Sequence, residues 1–226
     1  MPTQLLLPVV QRAVASLDGF LGAGNAEVVA RLRNVLVASM RARIWIIGAS
    51  GAGKTHLLQG ALLAAHAGAN STAGVDPAVT QPDGLRAVTA ATVVAIDAAD
   101  SLAADAQWEA SLLQLCNEQT GVLLFAAARH PLDAGFMLPD LRSRLAACEI
   151  YRLAALSDAD RVALLETRAA GLGIELPLEV THYLMTRLPR DAGSLSAAID
   201  RLDLASWRAQ RRLTVPFVRA VLGADK

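Results

Sequence analysis

The sequence is short of several things, and each shortage removes a class of answer. It has no net charge: 21 Lys and Arg balance 21 Asp and Glu across 226 residues, so no global positive field is available to hold a duplex by counterion release. Direct sequence-specific DNA binding is therefore not expected. Cysteine is scarce. Cys116 and Cys148 stand far apart in apolar surroundings, which reads as two buried, reduced thiols and not as a disulfide framework or a metal site. No uncharged run reaches the length needed to span a bilayer, and no basic segment precedes the short apolar run at the N-terminus. The expectation is a cytoplasmic protein with no membrane partner.

What the sequence has is hydrophobic mass, 54% of the residues, enough for a substantial core. It is arranged as short apolar runs of β type alternating with longer helical ones, the pattern of a parallel sheet flanked by helices. The runs are "ARIWIIG" (42–48), "TVVAID" (92–97), "GVLLFAAA" (121–128) and "EIYRL" (149–153), with a weaker edge strand near "STAGV" (71–75). The stretch from Ala65 to Ala91 is rich in Ala, Gly, Pro and polar residues and places no firm element. After Leu156 the strand signals stop, and three helical segments follow: "SDADRVALLETRAAGLG", with Ser157 and Asp158 as caps, "LPLEVTHYLMTRL", and "AGSLSAAIDRLDLASWRAQ". The reading is an α/β core over 17–155, a small helical lid over 156–226, and an N-terminal peptide and linker over 1–16.

The chemistry is concentrated in "GASGAGKT" (48–55), a complete G-x-x-x-x-G-K-[ST] motif between an apolar strand and an apolar helix. Gly48, Gly51 and Gly53 let the backbone curl so that its N–H groups, with those of Ser50 and Ala52, face phosphate oxygens at a helix N-terminus. Lys54 reaches the outer phosphates, and Thr55 offers a hydroxyl to Mg²⁺. His56 follows directly and is counted with this loop. Asp97, at the end of a strand, is the expected partner of that Mg²⁺. The ligand implied is ADP or ATP with Mg²⁺.

A P-loop motor also needs groups that polarise the attacking water, and here they are missing. Ala98 follows Asp97, and Ala128 ends the fourth apolar run, with Arg129 beyond it. Neither alanine carries a polar group. Asp100, the next acid, is expected to point elsewhere. The histidines His66, His130 and His182, like His56, lack metal-ligand spacing, and Trp45, Trp108 and Trp207 read as core residues.

From "LSDADRVALLETRAAGLGIELP" through "RLPRDAGSLSAAIDRLDLASWRAQRRLTVPFVRAVL" the chain resembles the lid of the Hda family, the DnaA-related AAA+ regulators of replication initiation. The resemblance implies an AAA+ P-loop core and supplies roles that spacing alone does not. "LPDLRSRL" (138–145) is similar to the family's arginine-finger segment, read as a proline-initiated turn with Arg144 as the finger acting in trans and Arg142 assisting. "LDGFLGAGN" (17–25) resembles the linker that helps enclose the adenine, which brings in Asn25. "QLLLP" (4–8) resembles a peptide that binds the polymerase sliding clamp, with Gln4, Leu5, Leu7 and Pro8 as contacts. The family's sensor arginine falls on Gly193, and Arg190 is the available replacement. Members of the family carry acids or Asn where Ala98 and Ala128 stand. The chain ends soon after the lid, so the DNA-binding module of DnaA is not expected.

Three functions follow from different classes. One is an adaptor that binds the DNA polymerase sliding clamp and promotes hydrolysis of DnaA-bound ATP, as a monomer or a homodimer. Another is a self-sufficient P-loop ATPase such as a helicase loader. The third is an interaction protein with a residual nucleotide site. Ala98 and Ala128 weigh against the second, while Lys54, Thr55 and Asp97 weigh against the third.

Overall fold

The computed structural model describes residues 16–223 except 18, 21 and 39; the clamp-peptide residues Gln4, Leu5, Leu7 and Pro8 lie outside the described residues. Five parallel strands form one sheet: β1 (Ala42–Ile47), β2 (Thr72–Val75), β3 (Val93–Ile96), β4 (Val122–Ala127) and β5 (Glu149–Arg152), in the order β2-β3-β4-β1-β5. Every pairing is parallel, so all C-terminal strand ends share one edge. The weak run near 71–75 is a true edge strand.

The strands read as continuous apolar runs because both faces of the sheet are covered. Successive side chains point to opposite faces. Ile44, Ile46, Val93, Ala95, Leu124 and Ala126 enter one core with α1 (Ala26–Ala38) and α2 (Lys54–Ala67). Trp45, Ile47, Val94, Ile96, Leu123 and Phe125 enter another, with α3 (Gly84–Ala87), α4 (Ala106–Glu118) and α5 (Pro139–Ala146). Each fully buried Leu, Ile or Phe contributes about 1.5–3 kcal/mol by removal from water, so the sheet forms a stiff base for its C-terminal edge.

A separate cluster holds the lid: α6 (Asp158–Gly171), α7 (Leu178–Arg187), α8 (Ala192–Ala209) and α9 (Val215–Gly223) pack around Leu165, Leu184, Leu195, Ile199, Leu202 and Val218. Of the two cap candidates, Ser157 is the N-cap of α6, and it forms a capping box, its hydroxyl accepting from the Asp160 N–H while the Asp160 carboxylate accepts from the Ser157 N–H.

Two readings need correction. The 138–145 segment is a helix and not a turn: Pro139 occupies its first turn, where proline's fixed φ and missing N–H cost nothing. Trp207 is 70% exposed, because the face of α8 it occupies looks away from the lid core. Trp45 is buried and Trp108 partly so. Both thiols are buried and unpaired, and burial pushes Cys116 up to about 11 and Cys148 to about 12. Among the described residues no helix is long and apolar enough to cross a membrane.

Candidate nucleotide site

The shared strand edge brings three loops together. β1 runs into Gly48, whose N–H donates to the Ala127 carbonyl at 3.2 Å, pinning the 48–55 loop to the end of β4. The loop then turns through Gly51 and Gly53 at φ of 73° and 92°, left-handed conformations that favour glycine. Helix α2 starts at Lys54, so the open N–H groups of its first turn face the loop's concavity.

Lys54 Nζ donates to the carbonyls of Gly48 and Ala49 at 2.8 and 2.9 Å. An ammonium carries three donors, so it is held over the loop with one still available to an incoming phosphate. Thr55 Oγ1 donates to Asp97 Oδ2, and Asp97 Oδ1 accepts from the Ala98 N–H at 2.8 Å. A hydroxyl and a carboxylate oxygen are thus adjacent at the loop's mouth. Hard oxygen donors of this kind suit Mg²⁺, which takes one or two protein oxygens and completes its shell with water and phosphate. The residues present fit a magnesium nucleotide.

The loops that follow β3 and β4 have another character. Two residues past β3, Ala98 stands at φ 45°, followed by a 3-10 turn over Ala99–Leu102. That turn directs Asp100, only 9% exposed, toward the end of β4. Its Oδ1 accepts from the Ala128 N–H at 3.2 Å, and its Oδ2 accepts from Arg129 Nε at 3.3 Å. Asp100 is thereby committed to holding the backbone just past β4, which sequence reasoning did not foresee.

The N-terminal linker and the lid close the remaining sides. Phe20 stacks on His56 with ring centroids 6.2 Å apart, and a Cβ added at Gly53 would lie 3.2 Å from the Phe20 ring. His56 is pushed below the usual histidine range by burial first and then by the Arg168 cation. Asn25 is buried, its Oδ1 accepting from the Ala154 N–H at 2.8 Å. This bond ties the linker to the chain after β5, so any part Asn25 plays in nucleotide binding runs through the position of that wall.

In the lid, Asp191 caps α8 by accepting from the Ser194 N–H at 2.8 Å, and the Gly193 N–H donates to the Gly51 carbonyl at 3.2 Å. The lid therefore rests directly on the phosphate loop. A Cβ built on Gly51 would stand 2.1 Å from Asp191 Oδ1, a close approach that only glycine allows. Arg190, next to this contact, is exposed, with Nη2 3.6 Å from Asp158 Oδ1. Polar N-cap residues such as Asp191 are legible in sequence; their docking on a distant loop is not.

Arg142 and Arg144 lie away from this cleft, on the exposed face of α5, whose Leu141 and Leu145 are buried. The helix is anchored from behind by Glu109, which is 1% exposed. Its carboxylate accepts the N–H groups of Met137, Leu138 and Ala104 at 2.7–2.9 Å. Burial alone would push this carboxyl up; the three backbone donors outweigh it and hold Glu109 below the ordinary glutamate range.

A parallel sheet in this order, with a loop of P-loop sequence on its C-terminal edge and a helical lid resting on that loop, is the architecture of an AAA+ domain. The fold agrees with solved structures. Domain III of the Thermotoga maritima replication initiation protein DnaA superposes with a TM-score of 0.80 at 17% identity, over 93% of this chain and 96% of that one. AMPPCP-bound DnaA from Aquifex aeolicus gives 0.70 at 19% identity, over 87% of this chain and 67% of that one. The Thermotoga maritima RuvB Holliday junction branch migration motor gives 0.68 at 18%, over 92% and 71%. The lid narrows the assignment: residues 158–222 match the family model of the Hda lid domain. The C-terminal helices thus match the Hda lid domain, and the fold of the chain is that of the AAA+ domains of DnaA and RuvB.

Proposed function

We propose that the chain is a regulator of replication initiation that holds ADP or ATP with Mg²⁺ in its own cleft, turns it over very slowly, and promotes hydrolysis of the ATP bound by DnaA. The observation that carries this reading is the contrast within one cleft: Lys54, Thr55 and Asp97 are assembled for binding, while Ala98 and Ala128 leave no side chain to activate water. The nucleotide would bring its own phosphate charge and Mg²⁺. The residues of the chain orient it: backbone N–H groups of 51–55 and Lys54 face the phosphates, Thr55 and Asp97 offer oxygens to the metal, and the lid restricts water.

Chemistry on a partner's ATP needs a cation presented outward, and Arg144 suits that role. It is exposed on a short helix with both buried leucines and the Glu109 carboxylate behind it, so the guanidinium stands on a fixed base. A planar multi-donor cation delivered to a γ-phosphate stabilises the charge developing there, an effect worth about 10³ to 10⁵ in rate in GTPase systems. The sliding clamp enters through Gln4, Leu5, Leu7 and Pro8, a short extended peptide with apolar anchors; this part of the reading rests on sequence.

The experiment is phosphate release from ATP-loaded DnaA in the presence of DNA-loaded clamp. The parent chain stimulates release, and Arg144→Ala and Arg144→Lys do not, while both keep the melting temperature and nucleotide affinity of the parent. Undiminished stimulation by Arg144→Ala would place the finger elsewhere.

A further inference from the structure

Asp191 brings a carboxylate onto the phosphate loop. A Cβ built on Gly51 would stand 2.1 Å from Asp191 Oδ1, so this oxygen lies within about 3.6 Å of the Gly51 Cα, one bond further on. The placement is fixed by backbone. The Gly193 N–H donates to the Gly51 carbonyl at 3.2 Å, a Cβ built on Gly193 would lie 3.4 Å from the Gly51 Cα, and Asp191 Oδ1 accepts from the Ser194 N–H at 2.8 Å as the cap of α8. No cation answers the carboxylate: among the described residues Asp191 belongs to no ion pair. Lys54 donates to the Gly48 and Ala49 carbonyls, and the guanidinium of Arg190 faces Asp158. Burial alone would push the Asp191 carboxyl up; the bonds it accepts at the start of α8 outweigh this and hold it below the ordinary aspartate range, so it is charged at neutral pH.

The loop beneath it is shaped for ligands of the same sign. A phosphate oxygen held by the Gly51 N–H would sit about 2.9 Å from that nitrogen. The Asp191 carboxylate is then at most about 8 Å from the phosphate, whichever side of the loop it lies on, and that is about one Debye length at physiological ionic strength. Two like charges at this range in a partly buried site repel appreciably. Capping does not require the charge, because the neutral oxygens of Asn and Ser serve an N-cap as well as Asp does. The negative charge is thus surplus to the fold and set against an anion-binding loop.

We propose that Asp191 is a specificity-determining residue of the nucleotide cleft, an anion of the lid that opposes phosphate charge and weakens binding the more, the more highly charged the nucleotide. The 48–55 loop and Lys54 attract the phosphates of any nucleotide, and Asp191 subtracts from that attraction in proportion to charge. Discrimination between phosphate chains then comes from electrostatics and not from shape. The inference rests on the nucleotide-binding reading above and adds to it a residue that loosens the grip.

The test uses the full chain and titrates Mg·ADP and Mg·ATP calorimetrically into the parent, Asp191→Asn and Asp191→Ser, at low and at high ionic strength. Both variants keep a capping oxygen, so their ligand-free melting temperatures should stay close to that of the parent. Both should bind more tightly than the parent, with Kd lowered by about 3- to 10-fold for Mg·ADP and by a larger factor for Mg·ATP, which carries one more negative charge. The gain should shrink as salt is added. A residue that only caps α8 would move neither the ratio between the nucleotides nor its salt dependence. Unchanged or weaker binding in the variants, or a gain that is equal for both nucleotides or indifferent to salt, overturns the proposal. Loss of the fold in both variants overturns it too, since the charge would then be structural. A parent that binds neither nucleotide overturns the underlying reading as well, whereas a parent whose binding is lost in Lys54→Ala and unchanged in Asp191→Asn overturns this proposal alone.

Discussion

The two walls of the cleft are built from the same sheet edge and differ in what they present. At the phosphate loop, Lys54 is drawn over its own backbone and Thr55 is bonded to Asp97. In the loops just past β3 and β4, Ala98 and Ala128 expose no polar side chain, and Asp100 holds backbone. Backbone curvature and one metal pair suffice to bind a nucleotide; hydrolysis needs a further group aimed at water. The difference teaches that the two capacities are separable within one cleft, and the function proposed above keeps the first without the second.

The comparison can be broken hardest at the loop. Lys54→Ala removes the cation that faces the phosphates, and we expect nucleotide affinity to fall by about two orders of magnitude, as for loss of a charge-assisted contact in a preorganised site. Equilibrium titration with Mg·ADP reads this directly. Retained affinity would show that the loop is not the binding wall.

A second break falls on the anchor behind α5. Glu109→Ala leaves three backbone N–H groups without their acceptor, each costing about 1–3 kcal/mol, so a loss of roughly 3 kcal/mol or more is expected in a denaturant melt. The pH dependence has a definite sign. The folded-state pKa of Glu109 lies below its unfolded value, so its contribution is complete above the ordinary glutamate range, near pH ~4.3, and is lost as pH falls through the lower folded value. The alanine variant should show a shallower acid limb than the parent.

The contact between lid and loop gives a third effect. Gly51→Ala forces a Cβ into the Asp191 carboxylate, 2.1 Å away, at a φ of 73°. Left-handed strain alone costs about 1–2 kcal/mol, and the collision obliges the lid to shift. Lower stability together with weaker nucleotide binding is expected. A variant that keeps both would mean that the lid does not bear on the loop in solution.

The smallest effect sharpens the comparison on the poor wall. Ala98 sits at φ 45°, where Asn and Asp are tolerated better than Ala. Ala98→Asn should therefore leave the melting temperature unchanged or raise it slightly. The native alanine would then mark a missing function and not a packing need.

Much of this was legible in the sequence, and the exceptions share a cause. The four strong strands were readable because continuous apolar runs bounded by turn residues have few other interpretations. The phosphate loop was readable because its glycines, Lys54 and Thr55 are fixed by local backbone geometry. Helix α1 was not singled out although Val28, Val29, Leu32, Val35 and Leu36 keep helical spacing, since attention in that region fell on the linker over 17–25 that precedes it. Helix α5 was taken for a turn because Pro139 suits both. Trp207 was misplaced because hydrophobicity does not reveal which face of α8 is covered. What no sequence reading reached were contacts between distant elements: Asp100 at the end of β4, Glu109 on the backbone entering α5, and Asp191 on Gly51. Each is an ordinary charged residue until the fold sets its neighbour beside it.

The central claim is that this cleft holds a nucleotide without consuming it, and one paired measurement on the purified parent chain tests it: equilibrium affinity for Mg·ATP alongside steady-state phosphate release. Clear saturable binding with turnover far below the ~10 s⁻¹ typical of enzymes is the predicted result. Turnover near that rate by the chain alone would contradict the account, because Ala98 and Ala128 would then not be the gap they are taken to be.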